Sequence, residues 1–186
     1  NLTFGFSLVT PRRLNVSENE AMNVLNHILN GTMSSRIFGE ARRRGLVYGM
    51  GSGLSHSINY SSWDFDGEVN IENAEELFEL IQTELMKALN GEILDMDFLA
   101  AKSYALGRFQ MGAQTPSQIA DYYAEGYFTN GTIEKYDNMP NLIKSIDKFR
   151  MIELAREFAD SGIKGFAEVS STEKAFINDL ELHLNF

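Results

Sequence analysis

The sequence predicts an α+β fold: an antiparallel sheet with helices packed on one face. Period-two alternation opens the chain, recurs in a long hairpin over residues 46–71, and recurs once more near residues 165–171. The intervening stretches repeat apolar residues at helical spacing and end in caps or Asn-Gly stops. The resulting order is β-α-α-β-β-α-α-α-α-β. One small sheet cannot cover that many helices, so a second helical layer is expected.

Each element has its own signal. Leu2, Phe4, Phe6 and Leu8 alternate with Thr3, Gly5 and Ser7, the pattern of a half-buried strand. Ser17 with Glu20 has the spacing of a capping box, and Ala21, Val24, Leu25, Ile28 and Leu29 then form one apolar helix face, stopped by Asn30-Gly31. A second, shorter helix is expected from Ser34 to about Arg43, ending before Gly45. In the hairpin, parity places Leu46, Tyr48, Met50, Leu54 and Ile58 on one face and Gly49, Gly51, Gly53, Ser55 and Ser57 on the other. A second backbone can approach that bare face closely. The return strand sets Trp63, Phe65, Val69 and Ile71 against Asp64, Asp66 and Glu68, so one side is core and the other open or partner-facing.

Ala74, Leu77, Phe78, Ile81, Leu85, Ala88 and Leu89 mark the next helix, stopped by Asn90-Gly91. Another helix starts near Asp95 or Asp97 and runs to about Ala113. Thr115-Pro116 caps a further one carrying Ile119, Tyr122, Tyr123 and Tyr127. Residues after Asn130-Gly131 are less regular. A helix follows from about Asp147 to Ala159, then a strand over 165–171, and residues 172–186 read as helical or frayed. Residues 1–186 are expected to form a single domain, excised from a longer two-domain chain.

Composition narrows the function. A length of 186 residues with 44% hydrophobic and 23% charged residues suits a packed domain, not a disordered chain. With 26 acidic against 16 basic residues, nonspecific nucleic-acid binding is disfavoured. No stretch reaches the ~18–20 apolar residues of a membrane span. The chain has no cysteine, which removes disulfides, thiolate zinc sites and thiol nucleophiles together. The compartment is unassigned, with the cytoplasm favoured by the lack of cysteine and of a visible signal peptide.

The chemistry-bearing residues are few. His27, His56 and His183 are the only histidines, none within a helical turn of another, and neither H-x-x-E-H nor H-E-x-x-H occurs. Structural or surface roles are the simpler account of His27 and His56. Glu72, Glu75, Glu76, Glu79 and Glu84 decorate the outer side of the Leu77/Phe78/Ile81 helix and read as a solvated face. Gly49, Gly51 and Gly53 lie within a strand pattern, which disfavours a phosphate loop. Sequons at Asn1, Asn15, Asn30, Asn59 and Asn130 matter only in a glycosylating secretory context.

One cluster resists so plain an account. Four of the nine arginines fall within residues 34–53, including Arg42, Arg43 and Arg44 at a helix end. Cations in a last turn offset the helix dipole by about 0.3–1 kcal/mol each, and that structural role is the simpler one. It leaves Tyr48, close by on the glycine-rich strand, unexplained. Arg and Tyr converging at such a junction can clamp a peptide carbonyl or carboxylate.

The stretch "LNHILNGTMSSRIFGEARRRGLVYGMGS", residues 25–52, resembles the segment that opens the second half of pitrilysin/insulinase-type zinc peptidases, the group that includes mitochondrial processing peptidase. A looser likeness extends through "SYALGRFQMGAQTPSQIADYYAEGYF" to the last strand. The resemblance implies one half of a mitochondrial-processing-peptidase-like clamshell. In that group the first half carries the H-x-x-E-H zinc helix, and the second closes a substrate chamber without zinc ligands of its own. It further implies that Arg42 and Tyr48 contact substrate, although they stand one residue closer together than in the family pattern. The chain alone is then expected to be inactive, with no cofactor of its own and Zn in the partner half, in cis or in trans. Its substrate is expected to be a peptide or unfolded polypeptide. Two other roles fit the same residues: a non-peptidase scaffold or assembly subunit that keeps the fold, like the core subunits of respiratory complex III, and a peptide-binding module that uses a strand edge.

Overall fold

A computed structural model of the chain describes residues 1–112, 114–171 and 174–185. Four strands, β1 (Leu2–Thr10), β2 (Val47–His56), β3 (Ser61–Val69) and β4 (Ile163–Val169), form one sheet in the order β2-β3-β1-β4, with every neighbouring pair antiparallel. The helices are α1 (Val16–Asn30), α2 (Phe38–Arg43), α3 (Ala74–Leu89), α4 (Asp95–Met111), α5 (Pro116–Asn130), α6 (Met139–Ser145), α7 (Lys148–Asp160) and α8 (Lys174–Leu182). The α+β class is as the sequence predicts.

The pleat decides which face is core. On β1, Leu2, Phe4, Phe6, Leu8 and Thr10 are all buried, while the odd-numbered residues are not. Register aligns Phe6 with Phe65 and with Phe166, and Leu8 with Trp63, so the same face continues across three strands. The Phe6 and Phe65 rings stack at 4.6 Å, and Phe78 of α3 meets Phe4 edge-on at 5.0 Å. Each such buried aromatic contributes on the order of 2 kcal/mol by leaving water. Helices α1, α3 and α7 supply the covering layer through Leu25, Leu29, Leu77, Ile81, Leu154 and Phe158. Among the described residues no core side chain belongs to the other side of the sheet, where Thr3, Gly5, Asp66, Glu68, Ala167 and Val169 lie partly or fully exposed.

Several boundaries differ from the sequence reading. The capping box of α1 is Asn15 with Glu18, not Ser17 with Glu20. Both pairs have the right spacing, but Glu18 also receives Arg12 and Arg150, which fix it at the helix start. Helix α2 begins at Phe38 and not Ser34, because the N–H groups of Arg36 and Ile37 donate to Ile28 and Leu29 carbonyls at the end of α1. The turn packs on Gly39, where a Cβ would stand 2.5 Å from the Met33 carbonyl oxygen. Helix α6 lies in the stretch that the sequence reads as less regular; its seven residues are too few for a periodic signal. On α5, Ile119 and Tyr127 are exposed, while Tyr122 and Tyr123 are half-buried. Ala113, expected at the end of the preceding helix, lies outside the described residues, as do Thr172, Glu173 and Phe186 of the terminal stretch. Leu180 and Leu184 join the core.

Candidate functional site

The junction of α2 and β2 is built by a helix stop and a bulge. Gly45 adopts φ +73°, a left-handed conformation that costs residues with a Cβ, and the Leu46 N–H closes onto the Ala41 carbonyl at 2.9 Å. Leu46 and Val47 are then both buried, anchoring the turn. From Val47 to Met50 the register with β3 shifts, from Val69 to Gly67. Three residues of β2 thus span what two residues of β3 span, a β-bulge. Its effect is to reset the parity. Val47, Met50 and Leu54 share the core side with Val69, Gly67 and Trp63, and Tyr48 is turned out to 90% exposure. This corrects the simple alternation that put Tyr48 with Met50 and Leu54.

Arg42 reaches the same point from α2. Its Nη1 donates to the Val47 carbonyl at 3.2 Å, and its guanidinium carbon lies 4.9 Å from the centre of the Tyr48 ring. The two sequence-predicted residues therefore converge. The other two arginines of the triplet do something else. Arg43 makes a forked pair with Glu40 at 2.9 and 2.6 Å, and Arg44 bonds Glu40 at 2.6 Å and Glu76 at 3.3 Å. The Arg44 and Arg43 hydrogen bonds hold the Glu40 carboxyl below its ordinary range. Among the described residues Arg42 has no carboxylate partner, so most of the five guanidinium donors are uncommitted.

The hairpin that presents Tyr48 is pinned by a residue that periodicity alone does not single out. Asn26 of α1 accepts from Trp63 Nε1 at 2.8 Å and Ser52 Oγ at 2.7 Å, and donates to the Ser52 carbonyl at 3.1 Å. A carboxamide beside the apolar face of a helix was the available sign. The open side of the same hairpin is less bare than its glycines imply. Gly49 and Gly53 have open space above them, but the Asp66 carboxylate covers Gly51. Asp64 is taken by the hydroxyls of Ser7 and Ser62, at 2.6 and 2.9 Å.

The histidines stand apart from this junction and from one another. His27 stacks on Tyr104 at 3.8 Å, His56 bonds Ser61 and Asn19, and His183 bonds Gln82. Among the described residues no group of three His, Asp or Glu side chains can hold a metal ion. Glu75 and Glu76 lie exposed in the first turn of α3, where Glu76 meets Arg44. Asn30, one of the sequon asparagines, is buried, so an oligosaccharide on it is incompatible with this fold. Among the described residues no helix is long and apolar enough to cross a membrane.

The fold is thus a four-stranded antiparallel sheet backed on one face by helices, with the Arg42–Tyr48 junction at the start of β2. Residues 2–104 match the family model described as the peptidase M16 inactive domain, and the chain belongs to that family. Among solved structures, it is similar to a protease from Helicobacter pylori (TM-score 0.75, 16% identity), covering 91% of this chain and 41% of that one. It is similar also to a chain of Complex III2 from Candida albicans (TM-score 0.80, 11% identity, 98% and 46% covered). A third is a candidate zinc protease from Bordetella pertussis Tohama I (TM-score 0.69, 11% identity, 92% and 94% covered). The chain thus spans about two-fifths of the Helicobacter protein's length. No curated protein matches it.

Proposed function

We propose that this chain is the non-catalytic, chamber-lining domain of a zinc metalloendopeptidase, supplying Arg42 and Tyr48 as substrate contacts to a zinc-bearing half elsewhere. The observation that carries this reading is the Arg42–Tyr48 pair: a guanidinium without a carboxylate partner among the described residues, held beside an exposed phenol. A zinc ion in the partner half, when bound, supplies the activated water. This chain's part is to orient the peptide and to meet negative charge as it develops on the scissile carbonyl. Arg42 brings a permanent positive charge and free donors; Tyr48 brings one hydroxyl donor and a ring that keeps the guanidinium extended. The substrate class is a peptide or unfolded polypeptide.

The test is reconstitution with a zinc-bearing M16 half, on the same chain or on a separate one. Arg42→Ala and Tyr48→Phe should each lower turnover at least tenfold, with zinc content unchanged. Turnover equal to wild type in both variants removes the assigned role. The likeness to a chain of Complex III2 favours a second reading, a scaffold subunit that keeps the fold without chemistry. Under that reading no zinc-bearing partner yields peptidase activity, and the Arg42 and Tyr48 variants alter assembly alone.

A further inference from the structure

A cavity of about 410 Å³ opens between the start of α1 and α5. That is within the range of small-molecule sites, roughly 300–1,000 Å³. It is lined by helical and loop residues and by His56 at the end of β2, and no residue of the open sheet face contributes to it. It is therefore separate from the Arg42–Tyr48 junction.

The chemistry of its walls is consistent. Glu20, Glu125 and Glu134 line it, against Arg13 as the one cation among the lining residues. Glu20 accepts one amide hydrogen from Asn23 at 3.3 Å, and Glu134 accepts one from Asn138 at 3.1 Å, so each carboxylate keeps acceptor capacity. Two aromatic rings, Tyr122 and Tyr123, complete the lining on the α5 side. They are held in place by a wider cluster. Tyr122 meets Tyr123 and Tyr136 edge-on at 5.4 and 5.3 Å, and the Tyr123 hydroxyl accepts the Tyr136 backbone N–H at 3.1 Å. Burial and nearby Arg13 lower the His56 pKa from the ordinary value, which disfavours its charged form. Burial raises the Glu20 carboxyl, outweighing the Asn23 hydrogen bond and the nearby charge of Arg108, and the Tyr122 phenol is raised by burial and by Glu134 and Glu20.

We propose that this cavity binds an organic cation, an ammonium or guanidinium group, seated between the carboxylates of Glu20 and Glu134 and the rings of Tyr122 and Tyr123. Carboxylates supply directional acceptors and the rings supply a negative π face, the combination that selects nitrogen cations over neutral polar ligands. Such a group can come from a free polyamine or from a basic side chain of a polypeptide.

Calorimetric titration of the full chain in ~150 mM salt, close to physiological ionic strength, distinguishes the sources. Spermidine is used in one arm and the blocked tripeptide acetyl-Ala-Arg-Ala-amide in the other. Saturable binding is expected in at least one arm, with the tighter arm identifying the source, and glycerol should give none. Glu20→Gln and Glu134→Gln should each weaken that binding about tenfold or more while far-UV circular dichroism remains that of wild type. Two variants are used so that a folding defect in one does not decide the outcome. Absence of saturable binding in both arms overturns the proposal. So does binding that well-folded Glu20→Gln or Glu134→Gln leaves unchanged.

Discussion

The Asp66 carboxylate lies over Gly51 on the neighbouring strand, so close that a Cβ on Gly51 would stand 2.8 Å from Asp66 Oδ1. Two residues along the same strand, Gly53 has nothing within 4 Å of the corresponding position. Neither glycine has a positive φ, so backbone conformation does not separate them. Gly53→Ala should stabilise the fold by about 0.4–1 kcal/mol through the unfolded chain. Gly51→Ala should forfeit that gain, because the carboxylate must move, and should end about 1 kcal/mol below Gly53→Ala. Urea denaturation of the two variants side by side checks the difference.

The bulge makes a second contrast between adjacent residues. Val47 is buried and Tyr48 is 90% exposed, although both belong to one strand end. Val47→Ala should cost about 2 kcal/mol as a core truncation. Tyr48→Ala should cost about 1 kcal/mol or less, losing only its contact with Arg42. If Tyr48→Ala proves the more damaging of the two, Tyr48 holds the fold together and its exposure is not reserved for substrate.

Asn26 should be among the most sensitive polar positions. Asn26→Ala strands the Trp63 indole N–H and removes the Ser52 contacts in one step. An orphaned buried donor costs about 1–3 kcal/mol. Thermal unfolding should show this loss. Trp63 fluorescence should shift as its indole N–H loses the Asn26 acceptor.

How much of this was legible in the sequence follows from whether the forces involved were local. Alternation in β1 holds throughout, and six of the seven apolar positions read on α3 are buried, with Leu89 partly so and Leu80 added, because each pattern reports burial against a single large surface. Glu40 stands three residues before Arg43 and four before Arg44, so their pairing was readable from helix spacing. The outward turn of Tyr48 was not readable. It depends on a bulge set by the pairing of β2 with β3, and parity cannot register one extra residue. The choice of Glu18 over Glu20 was equally hidden, since Arg150 comes from far along the chain. The cavity near α5 joins residues from three distant segments, and no local pattern announces it.

The Arg12 network gives the fold a defined acid limb. Arg12 bonds Glu157 at 2.5 and 2.7 Å and Glu18 at 2.8 and 3.1 Å, tying the end of β1 to α7 and to the first turn of α1. The Glu157 carboxyl is lowered chiefly by the Arg12 hydrogen bonds. At Glu18, burial acts to raise the carboxyl, but the hydrogen bonds from Arg12, Asn15 and Arg150 outweigh it and the net shift is also downward. Groups with a depressed folded pKa contribute stability above their unfolded value of 4.5 and lose it as pH falls through the folded values. His56 and His27 have the same sign of shift, chiefly from burial. Between their unfolded value of 6.5 and their lower folded values, the unfolded chain takes up protons that the fold does not. On these groups stability should fall in two stages on acidification, first below pH 6.5 and again below 4.5, with the raised Glu20 carboxyl acting in the opposite sense above 4.5. Arg12→Met should flatten the second stage and leave the first in place. His56→Gln should reduce the first stage and leave the second. Urea midpoints measured from pH 7.5 to 3.5 on wild type and the two variants check the assignment, and an unchanged acid limb in Arg12→Met rules it out.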